Sequence, residues 1–234
     1  MRIDPPLFPA TLLKRYKRFL ADVRLADGTE LTVHTPNTGS MLGCADAGMR
    51  IWLRDTQNPK RKYRYSWEMS ETATGVKIGV NTALSNPLLE EAIESGVVTE
   101  LQGYTQILTE VPYGHENSRI DLLLKNDTQD CYVEIKNVTA TDAQGLAIFP
   151  DAVTTRGTKH LRELKAMVEA GQRAVIFFSI QRADVTAFRP ASEIDPLYAA
   201  TLTEVLAAGV EALAYQAVVS PAKICLQKRL PVEL

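Results

Sequence analysis

One stretch constrains the fold of this chain more than any other. Residues 118–138, SRIDLLLKNDTQDCYVEIKNV, contain two runs rich in β-branched and aliphatic residues, at 120–125 and 131–138. A polar cluster of turn-forming residues separates them, at 126–130. Two apolar runs around such a cluster predict an antiparallel hairpin.

Three charged residues interrupt these apolar runs. Because side chains alternate across a strand, Asp121 should point away from its aliphatic neighbours, and Glu134 and Lys136 should share one face of the second strand. The same alternation predicts a common apolar face for three residues, Ile120, Leu122 and Leu124. If the hairpin brings the charged faces into register, Asp121, Glu134 and Lys136 converge.

Two converging carboxylates need a compensating charge. Repulsion and lost hydration would raise their pKa values unless a cation lies between them, and Mg²⁺ or Mn²⁺ bound by Asp121 and Glu134 would supply it. Lys136 would then orient or deprotonate an attacking water, or stabilise charge on a phosphoryl group. This interpretation predicts phosphodiester hydrolysis. The alternative is a hairpin with a charged solvent face, on which Lys136 pairs with Glu134.

Composition places the chain among ordinary globular proteins. It has 234 residues, 45% of them hydrophobic and 23% charged, so disorder is not expected. There is no apolar signal-peptide core and no run of about 18 apolar residues, which predicts a cytoplasmic protein without a membrane partner. The three cysteines lack CxxC spacing, so neither a zinc site nor a disulfide framework is expected.

The charge is distributed unevenly. Residues 1–83 contain 13 Lys and Arg against 8 Asp and Glu, whereas residues 84–234 contain 13 against 20. We therefore predict two domains with these bounds. The basic N-terminal domain would attract a polyanion, and the acidic C-terminal domain would hold carboxylates that a metal ion neutralises.

Residues 1–83 are predicted to be all-β. Short runs at 12–25 and 30–34 flank an Asp-Gly turn, and further strand candidates lie at 49–54, 63–69 and 76–81. About five short strands without an amphipathic helix favour an OB-like small β-barrel.

Two runs in this barrel interleave cations with aromatic residues. Cations follow phosphates and aromatic faces stack on bases, so the predicted nucleic-acid contacts are Lys14, Arg15, Lys17, Arg18, Lys60, Arg61, Lys62 and Arg64. The alternative is that the aromatics belong to the core and the cations to the wet side of a strand. The loop at 35–41, TPNTGSM, offers groups for a phosphate, but its composition favours an ordinary turn.

From residue 81 onward helices alternate with strands. Ser85-Asn86-Pro87 is predicted to be a cap followed by proline at the first helical position, and the helix is predicted to end at Gly96. Strands near 98–110, the hairpin, a helix at about 158–170 and a strand at 173–180 complete an α-β-β-β-α-β order. A helix at 196–208 and strands at 210–219 and 223–227 follow. The alternation predicts a sheet covered by helices on both faces.

This order, with ID on the second strand and ExK on the third, resembles the PD-(D/E)XK fold of restriction and repair nucleases. Longer blocks extend a more specific resemblance over nearly the whole chain: YKRFLADV, PNTGSM, KRKY, SRIDLLL, YVEIKNVT, FPDAVTTRGTKHLREL and RAVIFF. They are similar to the sugar fermentation stimulation protein A family of bacteria and archaea. The resemblance implies an OB-like domain joined to a PD-(D/E)XK nuclease-like domain, DNA binding, and a link to regulation of maltose metabolism.

The resemblance also assigns residues. Asp121 and Glu134 would be the metal carboxylates and Lys136 the motif lysine, although Ile120 stands where the motif's proline would be. An acid from the first helix would be Glu91, with Glu90 and Glu94 as competitors.

A second helix offers further candidates. Arg156, His160 and Glu163 share a helix face, so Arg156 could clamp a phosphate and His160 could bind phosphate or protonate the leaving oxygen. The alternative is a solvated face with an Arg156–Glu163 ion pair. Asp151 is predicted to be a helix cap rather than a further acid, and His34 and His115 are predicted to be incidental.

Two functions remain open. In the first, the protein is a metal-dependent deoxyribonuclease with little sequence preference. In the second, it is a DNA-binding regulator of sugar metabolism genes whose acidic cluster no longer catalyses. A homodimer would suit a double-strand cutter, but no sequence feature demonstrates one.

Overall fold

A computed structural model describes residues 1–114 and 118–234. His115, predicted to be incidental, lies outside the described residues. The three cysteines are free, as expected from their spacing. Within the described ranges, no helix is long and apolar enough to cross a membrane.

Six strands form the front of the chain. They are β1 Phe8–Tyr16, β2 Leu20–Arg24, β3 Glu30–His34, β4 Arg50–Asp55, β5 Tyr65–Glu71 and β6 Lys77–Gly79. Their order is β3-β2-β1-β4-β5-β6, and a parallel bridge between His34 and Ser66 joins β3 to β5. This bridge closes five strands into the small barrel predicted from the turn spacing.

The barrel is filled by the inward residues of its strands. Leu12, Ile51, Leu53 and Trp67 are fully buried in one cluster. The Trp67 indole N–H donates to the Met69 carbonyl at 2.9 Å, so the largest side chain of this core has no unsatisfied donor.

The predicted single run at 12–25 is two strands. Lys17 and Arg18 adopt left-handed backbone angles, with φ of 50° and 63°, and the chain reverses between β1 and β2. Two consecutive left-handed residues are usually Gly or Asn. Because Lys and Arg are not typical turn residues, no residue type in the sequence indicated that the chain turns at these positions. Both cations therefore lie at an exposed turn and not along a strand.

The rest of the chain is a mixed α/β unit. Its helices are α1 Ser85–Glu94, α2 Thr155–Glu169 and α3 Pro196–Ala207, and its main strands are β7 Gln106–Tyr113, β8 Ser118–Lys125, β9 Cys131–Val138, β12 Arg173–Ile180, β14 Glu211–Ser220 and β15 Lys223–Leu230. These strands form one sheet in the order β15-β14-β12-β9-β8-β7. The α1-β7-β8-β9-α2-β12 succession confirms the predicted α-β-β-β-α-β order. A small sheet, β10 Ala140–Thr141, β11 Ala147–Phe149 and β13 Phe188–Pro190, lies beside it.

Helices cover both faces of the main sheet. Leu122 and Leu124 pack in the cluster on the α1 side, whereas Ile120 packs in the cluster that contains α2 and α3 residues. The predicted common face of these three residues is therefore wrong at Ile120. Its neighbour Asp121 and the facing Glu110 do not pair in the β7–β8 ladder, and Glu110 has a left-handed φ of 53°. The regular alternation of side chains between the two faces of the sheet is therefore interrupted at Asp121.

Helix starts differ in detail from the prediction. A 3-10 turn, Thr82–Leu84, precedes α1, and Asn81 caps that turn by accepting from the Ala83 N–H. Ser85 is consequently the first residue of α1 and not its cap. Asp195 caps α3 through the Tyr198 N–H, ahead of a proline at the first helical position, as expected for such a pair.

A buried leucine in the barrel gives the first testable prediction. Leu12 is fully buried and its neighbour Leu13 is half-buried on the same strand. Leu12→Ala should lower the free energy of unfolding by about 2–5 kcal/mol, because it removes apolar contacts and leaves a cavity. Leu13→Ala, the matched control, should cost about 1 kcal/mol or less. Urea denaturation measures both, and equal losses would contradict the assigned faces.

Candidate active site

The candidate site lies where β8 and β9 separate. Their pairing ends at Leu122 and Val133, so the next backbone groups of β9 on that side have no strand partner on β8. The Asp121 carboxylate fills this gap and accepts the Ile135 N–H at 2.7 Å. A buried amide is satisfied, and the carboxylate is held at the fork between the strands.

Glu134 and Lys136 lie on one face of β9, as predicted. Lys136 Nζ is 2.6 Å from Glu134 Oε1 and 3.2 Å from His160 Nδ1. His160, on α2, bonds the same Glu134 oxygen through Nδ1. The sheet and the helix thus hold an acid, an ammonium and an imidazole in mutual contact, with Glu134 only 2% exposed.

One oxygen of Glu134 has no partner. Its Oε2 is buried and accepts no hydrogen bond within the described part of the chain. A buried carboxylate oxygen without a donor carries a large desolvation cost, and such atoms in native proteins are usually matched by an ion or an ordered water. The free oxygen therefore indicates a missing positive or donating group.

The two carboxylates have opposite pKa shifts. Burial and the nearby Glu134 charge raise the pKa of Asp121 to about 7, against the lowering effects of the Ile135 N–H and Lys136. Burial also raises the pKa of Glu134, but Lys136 and His160 outweigh it and the net pKa is lowered. Near neutral pH the pair therefore carries one firmly ionised acid and one that a cation would help to ionise.

A cavity of about 350 Å³ opens at these groups. Its lining on the sheet side includes Asp121, Glu134, Ile135, Lys136, Asn137 and Thr139. Arg156 and His160 line it from α2, and Phe149 and Asp151 line it from the segment before α2. The predicted convergence of Asp121, Glu134 and Lys136 is present in the geometry.

The barrel supplies another wall of this cavity. Asn37 and Gly39, in the loop at 35–41, and Thr82, after the barrel, line it. The Arg15 guanidinium holds the loop by donating to four backbone carbonyls, those of Arg18, Asn37, Gly39 and Ser40. The two terminal nitrogens of Arg15 make these bonds, whereas its Nε is buried without a partner among the described residues. Arg15 therefore shapes the loop, and its predicted contact with nucleic acid stays a prediction.

Asp151 joins the barrel loop to the α/β unit. Its carboxylate accepts the Met41 N–H at 2.8 Å, and its carbonyl accepts from the Ser40 hydroxyl at 2.7 Å. The predicted cap role is wrong, because Thr154 caps α2 by accepting from the Gly157 N–H. Asp151 instead fixes the barrel wall against the cavity.

Arg156 lies at the exposed edge of the cavity. Its Nε donates to His160 Nε2 at 3.3 Å, which confirms that the two side chains meet along the helix. Glu163, one turn further, is buried, and its carboxylate lies where a side chain on Gly114 would have to be. A solvated Glu163 face is therefore excluded.

The predicted helix acid lies elsewhere. Glu91 is half-exposed and pairs with the N-terminal ammonium of Met1. Neither it nor Glu90 or Glu94 lines the cavity. The first turn of α1 points to the site instead, and it contributes Ser85 and Asn86.

Sequence reasoning missed several polar groups. The Ser85 hydroxyl donates to Asn137 Oδ1 at 3.2 Å, while Asn137 Nδ2 is buried without a partner in the described residues. Glu110 acts on the site by raising the pKa of Asp121. Ser85 and Asn86 lie at the start of α1, where hydroxyl and amide side chains usually act as caps, so their sequence gives no sign of a site. Asn137 lies on β9 directly after Lys136, and only this position in the ExKN run could have drawn attention to it.

The remaining predicted nucleic-acid contacts are surface cations of the barrel. Exposed positions are Lys14, Lys17, Arg18, Lys60, Arg61, Lys62 and Arg64. Arg64 forms a two-pronged pair with Asp55 and lies over the Tyr65 ring, and Lys14 lies over Tyr16. The aromatic rings are thus partly covered by their neighbouring cations.

Fold and site together define a two-part protein, with a small barrel docked on a mixed α/β unit that carries a carboxylate, ammonium and imidazole cluster. Family models agree with this division: one described as the SfsA N-terminal OB domain matches residues 13–80, and one described as the Sugar fermentation stimulation protein RE domain matches residues 83–223. The chain belongs to the sugar fermentation stimulation protein family, SfsA. Its barrel is an OB domain, as predicted.

Relatives support this membership over the full length. A sugar fermentation stimulation protein homolog of Geobacter metallireducens is 56% identical over all of both chains. Another from Thioalkalivibrio sulfidiphilus is 53% identical over 100% of this chain and 98% of the relative. A solved structure of Pyrococcus furiosus SfsA in complex with Ca²⁺ is 30% identical, with a TM-score of 0.90, and covers 100% of this chain and 98% of that one.

The raised pKa of Asp121 predicts how stability depends on pH without metal. Between its ordinary value of 3.8 and about 7, the unfolded chain releases a proton that the folded protein keeps. The stabilising contribution is therefore complete below pH 3.8 and is lost as the pH rises through 7, at no more than about 1.4 kcal/mol per pH unit. Asp121→Asn should remove this slope in urea denaturation with EDTA.

The matched control is Asp127→Asn, in the exposed turn of the same hairpin. It should leave the pH dependence of the wild-type protein unchanged. A slope retained in Asp121→Asn would show that another group produces it.

Proposed function

We propose that this protein is a divalent-metal-dependent nuclease that hydrolyses phosphodiester bonds of DNA with little sequence preference. The observation that carries the proposal is the buried Oε2 of Glu134, which has no partner among the described residues and lies beside Asp121 and Lys136 in an open cavity. Buried acids with strongly perturbed pKa values in a cleft are typical of catalytic sites.

The residues of the cavity fit a hard divalent cation. No group of three or more His, Cys, Asp or Glu side chains suited to a metal occurs in the described ranges. Mg²⁺, however, commonly takes only one or two carboxylates and keeps several waters, so Asp121 and Glu134 suffice. The Ca²⁺ complex of the Pyrococcus furiosus relative supports the same choice of an oxygen-binding ion. When bound, such an ion supplies a polarised phosphoryl oxygen and an acidified water.

Besides the charge of a bound cation, the cavity contains a positive charge on the protein, the Lys136 ammonium. Its ammonium lies 2.6 Å from Glu134 and lines the cavity, so it can hold a phosphoryl oxygen or orient a water beside the acids. Arg156 at the edge presents a planar donor for a second phosphate contact. DNA would be held between these two cations.

His160 has a positioning role in this proposal. Because Nε2 accepts from Arg156, the imidazole proton lies on Nδ1 and points to Glu134. Both nitrogens are then engaged, which leaves none to protonate a leaving oxygen. His160 therefore orients Glu134 and Arg156.

A second candidate function is a DNA-binding regulator of sugar metabolism genes without catalysis. Two observations favour it: Glu134 Oε1 already pairs with the Lys136 ammonium and bonds to His160, and the relatives are named for sugar fermentation stimulation. In that case the acid cluster stabilises the fork between β8 and β9, and only the basic barrel surface acts.

Cleavage assays separate the two functions. Purified protein with Mg²⁺ or Mn²⁺ should cleave DNA, and EDTA should abolish the activity, because the acids need the ion to bring the phosphate close. Asp121→Asn, Glu134→Gln and Lys136→Ala should each lower the rate by at least about a hundredfold. Gel electrophoresis of labelled DNA measures the rates.

Glu91→Gln is the matched control, since this acid lies outside the cavity. It should retain the wild-type rate. Salt-sensitive binding with no cleavage under any metal would leave the regulator as the function.

The salt dependence of DNA binding tests the barrel surface. Arg61→Ala with Lys62→Ala removes two exposed cations of the β4–β5 loop. Binding should weaken equally for all sequences, and the slope of log K against log salt should fall by about 2, because two phosphate contacts are lost. Fluorescence anisotropy at several salt concentrations measures the slope.

The control pair is Lys223→Ala with Lys228→Ala, two exposed cations on strand β15 of the other domain. It changes the net charge equally but should leave the slope unchanged. If both pairs flatten it alike, general charge and not the barrel loop attracts the DNA.

A further inference from the structure

The acids of the proposed nuclease lie inside a cavity and not on an open surface. Glu134 is 2% exposed, and the barrel loop stands opposite it across a space of about 350 Å³. A phosphodiester must therefore enter between the barrel and the sheet before it reaches the acids. The shape of this space limits the substrate.

The barrel side of the space is held in place by hydrogen bonds. Asn37 Nδ2 donates to the Val80 carbonyl at 3.1 Å, and the Thr82 hydroxyl donates to the Pro36 carbonyl at 2.8 Å. Asp151 accepts the Met41 N–H from the other domain. The first two bonds, together with those of Arg15, fix the loop to its own barrel, and the Asp151 bond ties it to the α/β unit. Moving the loop outward would break them.

The volume suits one nucleotide. Pockets for single small ligands range from about 300 to 1,000 Å³, and this cavity is near the lower end. A base pair presents two joined nucleotides in a stiff helix whose major groove alone is about 12 Å wide. A paired strand would bring its partner against the fixed barrel wall, whereas an unpaired strand can bend in alone.

The chemistry of the rim also suits an unpaired nucleotide. Asn86, Asn137 and Thr82 offer neutral amide and hydroxyl groups around the cavity, and Asn137 Nδ2 is buried without a partner among the described residues. Such groups can bond to the Watson–Crick edges of bases, which are free only when the base is out of its pair.

We propose that the substrate is an unpaired DNA strand, in single-stranded segments or frayed ends, and that the barrel loop at 35–41 excludes an intact duplex from the acids. This inference rests on the proposed nuclease function. The loop selects the substrate, and the sheet carries out the chemistry.

The test compares one labelled strand alone and in a blunt duplex. With Mg²⁺ or Mn²⁺, the wild-type protein should cleave the single strand at least about tenfold faster, and in Ca²⁺ it should bind it at least about tenfold more tightly. Equal cleavage of strand and duplex would overturn the inference and leave the nuclease function intact.

A variant that fills the cavity adds an independent readout. Asn86→Trp places a large ring at the rim from the first turn of α1, and Glu94→Trp places the same ring at the exposed last turn. The preference for the single strand should disappear in Asn86→Trp and persist in Glu94→Trp, with circular dichroism to verify folding. If no metal supports cleavage, the nuclease function fails, and the binding comparison in Ca²⁺ alone tests the inference. A binding preference for the single strand that Asn86→Trp abolishes supports entry of an unpaired strand. Equal binding of strand and duplex by the wild-type protein overturns the inference.

Discussion

The bond from the Asp121 carboxylate to the Ile135 N–H is the interaction on which the site depends. Two strands of a sheet can separate only if their exposed backbone groups find other partners. Asp121 provides that partner, so the fork between β8 and β9 stays open without an unsatisfied amide. The same carboxylate then lies beside Glu134, and burial and the Glu134 charge raise the pKa of Asp121 although the Ile135 N–H lowers it. A local solution to a backbone problem thereby produces a place where a cation is favourable.

The second feature is that neither domain makes the site alone. The sheet and α2 hold Glu134, Lys136 and His160 in contact, while the barrel closes the opposite side with a loop that Arg15 keeps in shape. Each of these side chains has a polar partner on at least one atom, which makes the arrangement rigid. Among the described residues, Glu134 Oε2 and Arg15 Nε are the buried atoms of these four side chains that lack a partner. Of the two, Glu134 Oε2 lies at the cavity. Binding there would require little rearrangement of the protein.

Much of the fold followed from the sequence because its signals are local. Turn residues and apolar periodicity located the barrel and the α-β-β-β-α-β order, and the Asp195-Pro196 start located α3 after it. Strand alternation located Glu134 and Lys136 correctly on one face. Predictions failed where tertiary partners decide. An arginine in a basic run gives no indication whether it faces phosphate or carbonyls, and Arg15 bonds to the carbonyls of its own loop. Helix periodicity does not say which acid turns to the site, and Glu91 lies outside the cavity lining. Ile120 failed because a strand that leaves its neighbour no longer alternates regularly.

The contact of Asp151 with the barrel loop has a consequence for how such proteins can diverge. The loop backbone and this carboxylate lie 110 positions apart in the chain, yet they meet through a bond at 2.8 Å. A barrel exchanged between two family members would bring its own loop path and could lose this acceptor. A chimera of two family members therefore keeps this contact only where the barrel loop of one follows the same path to the Asp151 position of the other.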